Sequence, residues 1–580
     1  MSAPPGMSSN PFEVLGLDRS ATFEDVQLAY RRLARQHHPD ANPHDPLALE
    51  RFTALRRAYD RLKVFYQTRD ETGSASAPGD RRSAIGSPPP PNAARPTPNA
   101  YAATPDSAGT GVAVPEPPLP GTGNRRAFRR AGPLQQSGDL AGRSVAPQGP
   151  AAASRASTVR LPTPQQVGGG HLAARAEIVY GHLTVVPSTE AQMVYALIGL
   201  RASEGVVFPR VPLNLCFVLD HSSSMLRGGK VERLKETVRG IIEQLDDDDF
   251  LSIVTFGDRA EVLLPAQPVR NKALMQGAID AMRCRGGTEI SRGLAVGLSE
   301  LARNASRALS HLILLTDGQT YGDEMACLEH ADEAAAAAVG ITAYGLGDDW
   351  NSALLDGIAG PSGGHADYIA SPAEMAPIFS ACVLALQSTT LRKVVLSTQP
   401  AAGTRVQRAM LVGPLLRPLD LAAEHGVLVS RLGDMSSNTD YRVLLELVLG
   451  PCQPGTLPVA DLTLCYDVPG LQREAETLHI PLAVTVTPDH DPSAPVDPRV
   501  TEALRHITVH RLQQQAWTEI TGGNRAKGTG LLKRAAEHLE VAGHGELAKI
   551  AATEAGRVEG GESASVQNVK RIIYGTRKLG

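Results

Sequence analysis

The chain has 580 residues and a formal net charge of −4, so it is too long for one hydrophobic core and gives no hint of a nucleic-acid partner. No run of about 18 apolar residues occurs, and the opening "MSAPPGMSSNPFEVLG" lacks the basic-then-apolar build of a signal peptide. Cys216, Cys284, Cys327, Cys382, Cys452 and Cys465 are widely spaced with no CxxC, which fits free thiols in a reducing compartment better than a disulfide framework or a zinc site. A multidomain, cytoplasmic chain with no membrane span is expected.

Residues 9–70 read as a small all-α hairpin. In "TFEDVQLAYRRLARQHH", Val26, Ala29, Tyr30 and Leu33 recur at helical spacing, with Arg31, Arg32 and Arg35 turned elsewhere. A second stripe follows in Leu49, Phe52, Leu55, Tyr59 and Leu62. Residues 71–172 contrast sharply: 17 of the 43 prolines fall in 71–170, with Tyr101 and Phe128 the only aromatics. Such a composition buries too little apolar surface to offset the entropy of ordering, so a disordered linker is expected. Its basic patch "NRRAFRR" (Asn124–Arg130) reads as solvated linker.

Residues 173–209 and 388–490 alternate as half-buried strands do, and they are expected to pair into one β-sandwich. Between them, residues 210–387 switch to strand-then-helix units. The strands "LNLCFVL", "FLSIVTF", "HLILLT" and "ITAYGLG" are nearly continuous apolar runs, as a parallel sheet covered on both faces requires. The expected fold is therefore an α/β doubly wound domain inserted in the sandwich. A C-terminal α-helical region follows over 495–580.

The stretch "CFVLDHSSSM" (Cys216–Met225) places Asp220 just past the first parallel strand, where open α/β sheets bind ligands. It is no nucleophile elbow, for G-x-S-x-G is absent, and no phosphate loop, for G-x-x-x-x-G-K-[ST] is absent. A simple helix N-cap is the plain alternative. Two further strand-end loops weigh against it. "CRGGTEI" supplies Thr288 after two glycines, and "LILLTDGQT" supplies Asp317 after another buried strand. The hydroxyls of Ser222, Ser224 and Thr288 with the carboxylates Asp220 and Asp317 are the oxygen donors a hard dication takes.

D-x-S-x-S, a loop threonine and a strand-end aspartate together resemble the metal-ion-dependent adhesion site of von Willebrand factor A domains. The resemblance implies Mg2+ (or Mn2+ or Ca2+) at Asp220, Ser222, Ser224, Thr288 and Asp317, with a protein ligand offering a carboxylate. Ser223 stands where glycine is usual, and His221 is an uncommon choice there. The flanking strands and the tail ending "YGTRKL" resemble bacterial stand-alone von Willebrand A proteins with a sandwich and a helical tail.

Between the two N-terminal stripes lies "HPD", His38-Pro39-Asp40, with "NPFEVLGL" leading in. The set resembles the J domain of DnaJ co-chaperones across about residues 9–66. It implies that Arg31, Arg32 and Arg35 dock on a DnaK-type chaperone while His38, Pro39 and Asp40 trigger its ATPase. Ala41 replaces the lysine that often follows HPD, and no CxxCxGxG repeat is present.

Two weaker signals take plain readings: "DDDD" (Asp246–Asp249) as a solvated turn, and His506 with His510 as an ordinary helix face rather than a zinc pair. The expected function is a J-domain co-chaperone that brings a DnaK-type ATPase to a client held by a Mg2+-dependent A domain. The linker would raise the local concentration of chaperone without fixing geometry. The alternative is a metal-dependent adaptor in an assembly, with the J domain accessory. No nucleophile or acid/base set supports an enzyme.

Overall fold

A computed structural model describes residues 10–18, 21–37, 51–52, 54–59, 61–62, 65–66, 165–167, 172–305, 307–320, 322–419, 421–424, 426–490 and 495–579. The HPD motif, most of the expected linker and the patch at 124–130 lie outside the described residues.

The N-terminal unit starts with α1 (Pro11–Val14) and α2 (Phe23–His37), followed by helical residues between 51 and 66. A capping box opens α2: the Thr22 backbone N–H donates to Asp25 Oδ2 at 2.9 Å, and the Asp25 N–H donates to Thr22 Oγ1 at 3.2 Å. The two stripes meet as the pattern requires. Val26, Ala29 and Tyr30 pack with Leu55, Tyr59 and Leu62 in one core, and the Tyr30 and Tyr59 rings stack at 4.3 Å. Arg32 is exposed; the side chains of Arg31 and Arg35 are outside the described set.

The sandwich begins with β1 (Gln165–Val167), β2 (Ala174–Tyr180), β3 (Thr184–Val185) and β4 (Gln192–Ala202). β1 lies inside the stretch expected to be structureless linker; it pairs antiparallel with β2, which supplies a backbone partner that composition cannot show. The α/β unit then runs β5 (Leu213–Asp220), α3 (Lys230–Gln244), β6 (Phe250–Phe256), β7 (Ala260–Pro268), α4 (Lys272–Asp280), α5 (Ile290–Ala302), β8 (Leu309–Thr316), α6 (Glu324–Ala336), β9 (Gly340–Leu346), α7 (Ser352–Ala359), β10 (His365–Ile369) and α8 (Met375–Gln387). The sandwich resumes with β11 (Thr389–Pro400), β12 (Thr404–Gly413), β13 (Arg417–Pro418), β14 (Ala422–Glu424), β15 (Val427–Ser436), β16 (Tyr441–Leu449), β17 (Gly455–Val468) and β18 (Arg473–Val486).

One sandwich sheet is ordered β1-β2-β4-β16-β12-β13 and the other β14-β15-β11-β17-β18-β3. The β4–β16 ladder, with Ile198 opposite Val443, joins segments that precede and follow the α/β insertion. Ile198, Leu411 and Leu445 from one sheet meet Leu396, Leu464 and Ile480 from the other in a shared core. The first sheet is also covered outside: Leu197, Met410 and Leu444 pack on Val500, Ala503 and Ile507. Both faces of β4 and β16 are therefore covered, whereas the half-buried strands expected of these segments would leave one face to water.

The inserted sheet is ordered β10-β9-β8-β5-β6-β7, parallel except for β7. The chain runs from β5 outward to β7, then returns to β8 on the opposite side. The switch point of this doubly wound sheet therefore falls between β5 and β8. β5 and β8 are buried at every residue. α3, α4 and α8 cover one face and α5 to α7 the other.

The tail comprises α9 (Pro498–Thr521), α10 (Arg525–Val541), α11 (Gly545–Glu559) and α12 (Val566–Arg577). α12 returns to the inserted domain. Lys570 Nζ donates to the carbonyls of Asp348 and Trp350 at 2.8 and 2.9 Å and sits 3.8 Å over the Trp350 ring. No described helix is long and apolar enough to cross a membrane.

One plain reading needs correction. The aspartate run is not merely a solvated turn. Asp249 is fully buried, accepts from the backbone N–H groups of Leu213 and Asp246 at 2.7 and 2.9 Å, and pairs with Arg210 at 2.5 Å. It ties the entry of β5 to the end of α3. His506 and His510 do lie along one helix face, and that face is buried, because α9 packs on the sandwich along one side and on the tail along the other.

Candidate functional site

Parallel pairing of β5 with β8 brings Asp220 and Asp317 to the same sheet edge. Asp220 ends β5, and Asp317 follows Thr316 at the end of β8. The side chains form one connected chain of contacts. Thr316 Oγ1 donates to Asp220 Oδ2 at 2.7 Å, and the Ser222 N–H donates to Asp220 Oδ1 at 2.8 Å. Ser222 Oγ and Ser224 Oγ lie 2.9 Å apart, and Ser224 Oγ donates to Asp317 Oδ1 at 2.7 Å.

The loop before α5 closes the cluster. Gly286 has φ +75°, and a Cβ there would meet Asp258 Oδ2 at 2.5 Å, so only glycine fits. Its carbonyl accepts from both the N–H and the Oγ of Ser223 at 3.2 Å. Ser223, where glycine is usual, thus gains a partner instead of crowding the loop. Thr288 is buried, and its Oγ1 would lie 3.3 Å from a Cβ at Gly318, the residue after Asp317. His221 is buried as well, its backbone bonded to Phe256 and Arg285.

All five expected oxygen donors therefore converge on one sheet edge. Four of them share a hydrogen-bonded chain, and Thr288 stands beside it. The sequence reading missed two neighbours. Thr316 orients Asp220, and its place directly before Asp317 was the available signal. Lys230, the first residue of α3, sets its Nζ 2.5 Å from Asp317 Oδ2. No local pattern announced that contact, which spans 87 residues.

Electrostatics single this cluster out. Both carboxylates are fully buried. Burial, then the charge of Asp317, pushes Asp220 up to about 7 despite three hydrogen bonds that favour its ionised form. Two buried carboxylates ringed by hydroxyls lack positive charge, which Lys230 only partly supplies. A small dication fits that deficit in both charge and donor hardness. Among the described residues, no group of three or more His, Cys, Asp or Glu side chains could hold a metal. Any metal in this region would accordingly depend on the hydroxyls.

Comparison with known proteins bears on the modules separately. The von Willebrand factor type A domain model matches residues 214–380, and the DnaJ domain model matches 10–67. The Sll0103-like C-terminal alpha-helical domain model matches 498–580. The chain is 32% identical over 367 residues to the Synechocystis sp. protein sll0103, covering 62% of this chain and 87% of that protein. The N-terminal unit is 47% identical over 53 residues to chaperone protein DnaJ 2 of Synechocystis sp., a match spanning 9% of this chain and only 17% of that protein. A von Willebrand factor type A structure from Catenulispora acidiphila superposes with a TM-score of 0.59 at 18% identity, covering 70% of this chain and 96% of that one. This last likeness concerns the fold alone.

Proposed function

This chain belongs to the family of the Synechocystis sp. protein sll0103 and carries a DnaJ domain ahead of that body, and from this premise we propose that it is a co-chaperone whose A domain grips a protein client through a dication. The DnaJ domain points to a DnaK-type partner, and the von Willebrand A domain points to protein binding. In the finer reading, Arg31, Arg32 and Arg35 steer docking, and His38, Pro39 and Asp40 stimulate the ATPase of that partner. The client end rests on one observation: the five-oxygen, carboxylate-poor cluster at the switch point of the sheet.

There Asp220, Ser222, Ser224, Thr288 and Asp317 would hold Mg2+. The metal would supply one open coordination position for a carboxylate of the client. Thr316 and the Ser222 N–H fix Asp220, and Gly286 fixes the serine loop, so the donors are positioned before any metal arrives. Nothing in this arrangement activates a nucleophile. The proposed role is binding, in the cytoplasm, without an enzymatic activity of its own.

Each half has a direct test. His38→Gln should abolish stimulation of a DnaK-type ATPase while leaving circular dichroism unchanged; undiminished stimulation would refute the chaperone half. Asp317→Ala should remove Mg2+ binding in titration calorimetry. Equal binding by that variant would refute the metal half.

A further inference from the structure

We propose that a cavity where the inserted domain, the sandwich and the tail converge is a binding site for a small organic oxyanion, a carboxylate or phosphate on an apolar body. The cavity measures about 750 Å³ and is walled by residues of α7, the approach to β10, the β12–β13 connection, β15, α9 and α12. That is the size of small-molecule sites, which favour junctions between structural modules. Leu415, Leu416, Val429 and Tyr574 give it apolar walls.

The ligand's chemistry follows from which polar groups of the wall are already satisfied. Its carboxylates are engaged. Asp356 takes both terminal nitrogens of Arg577 at 2.6 and 2.7 Å, and Asp367 pairs with Lys578 at 2.8 Å. Donors are left over. His510 is 3% exposed, lines the cavity, and its Nε2 has no partner.

With the Gln513 amide oriented as in the structure, its Oε1 left buried without a partner, the hydrogen bonds of its Nε2 place the proton on that nitrogen. Thr576 Oγ1 donates to the Ile573 carbonyl at 3.0 Å, so it must accept from Gln513 Nε2. The same amide group donates to His510 Nδ1 at 3.3 Å. Nδ1 is therefore the acceptor and Nε2 carries the hydrogen, a buried donor with nothing to bond. Arg431, exposed at the cavity rim, has no carboxylate partner among the described residues. A buried N–H and a guanidinium without acceptors select a ligand that brings oxygen acceptors and negative charge.

The test uses the full chain in EDTA, so that no carboxylate can bind through metal at Asp220 and Asp317. Calorimetric titration compares benzoate and phenyl phosphate with neutral benzamide. At least one anion should bind about tenfold or more tightly than benzamide, and their ranking tells carboxylate from phosphate. Arg431→Gln, a rim substitution that leaves the core intact, should weaken the anion at least about tenfold, the usual loss for a charge-assisted bond. His510→Leu should do likewise while leaving Mg2+ binding unchanged. If neither anion outbinds benzamide, or if Arg431→Gln binds the anion as well as the native chain, the proposal is wrong.

Discussion

Replacing Lys230 by Met tests the electrostatics of the oxygen cluster directly. Its Nζ stands 2.5 Å from Asp317 Oδ2, with the lysine side chain 22% exposed and the aspartate side chain fully buried. Methionine keeps most of the stem and removes the charge. Without metal, Asp317 then becomes a buried acid with no cation beside it, at a cost of about 3 kcal/mol.

The sign reverses once a dication binds. Unit charges about 4 Å apart interact by roughly 4 kcal/mol at an effective dielectric near 20, so an ammonium and a dication repel by up to roughly 8 kcal/mol, an upper limit because Lys230 can swing toward water. Even a sixth of that, about 1.4 kcal/mol, makes the variant bind Mg2+ about tenfold more tightly. Ligand linkage then adds the same increment to its stabilisation by excess metal. Thermal unfolding in EDTA and in excess Mg2+ reads both effects. The variant should melt lower than the native chain in EDTA and gain more from Mg2+. Equal Mg2+ shifts in the two proteins, or an unchanged melting temperature in EDTA, would refute the account of Lys230 as a stand-in cation.

Three further outcomes follow from the same structure. Gly286→Ala, at φ +75° with its new Cβ against Asp258, should cost about 2 kcal/mol and weaken Mg2+ binding by displacing the carbonyl that holds Ser223; an unaltered melting curve would contradict the strain argument. Asp249→Ala should destabilise by about 2 kcal/mol or more in urea unfolding, since it leaves the backbone N–H groups of Leu213 and Asp246 without an acceptor, far from the metal cluster, while Arg210 keeps Asp246 and Asp248; Mg2+ affinity should not change. Acid should also unfold the protein through buried histidines. Burial lowers His311 to about 3 and His510 to about 4, so their unfolded forms bind protons first. Their contribution is full above pH 6.5 and is lost as pH falls toward those values, about 4 kcal/mol for the pair between pH 7 and pH 5. Urea midpoints should fall less steeply across that range in His311→Asn/His510→Leu than in the native chain, the remaining fall coming from His221, His365 and His506, which burial also lowers; parallel curves would refute the assignment.

The sequence was most legible where one residue sufficed for one role. Apolar runs declared the parallel strands because each is buried on both faces. Asp220 and Asp317 were identifiable because a charge directly after such a run has to sit at a sheet edge. The helical stripes of the N-terminal unit declared their partners because period and contact coincide on a short hairpin. Reading "DDDD" as a solvated turn failed because composition counts charges, whereas only Asp249 of the four points inward.

Sequence by itself determined the kinds of module and pointed to the five oxygen-bearing residues that meet at the sheet edge, since strand ends and loop glycines are local properties of the chain. Tertiary structure alone decided which donors touch and what balances their charge. Lys230 reaches Asp317 only because β8 settles beside β5, and His510 keeps an unanswered proton only because α9 is clasped between sandwich and tail. Such pairings follow from the order of strands in a sheet and the docking of one module on another, and residue periodicity carries neither.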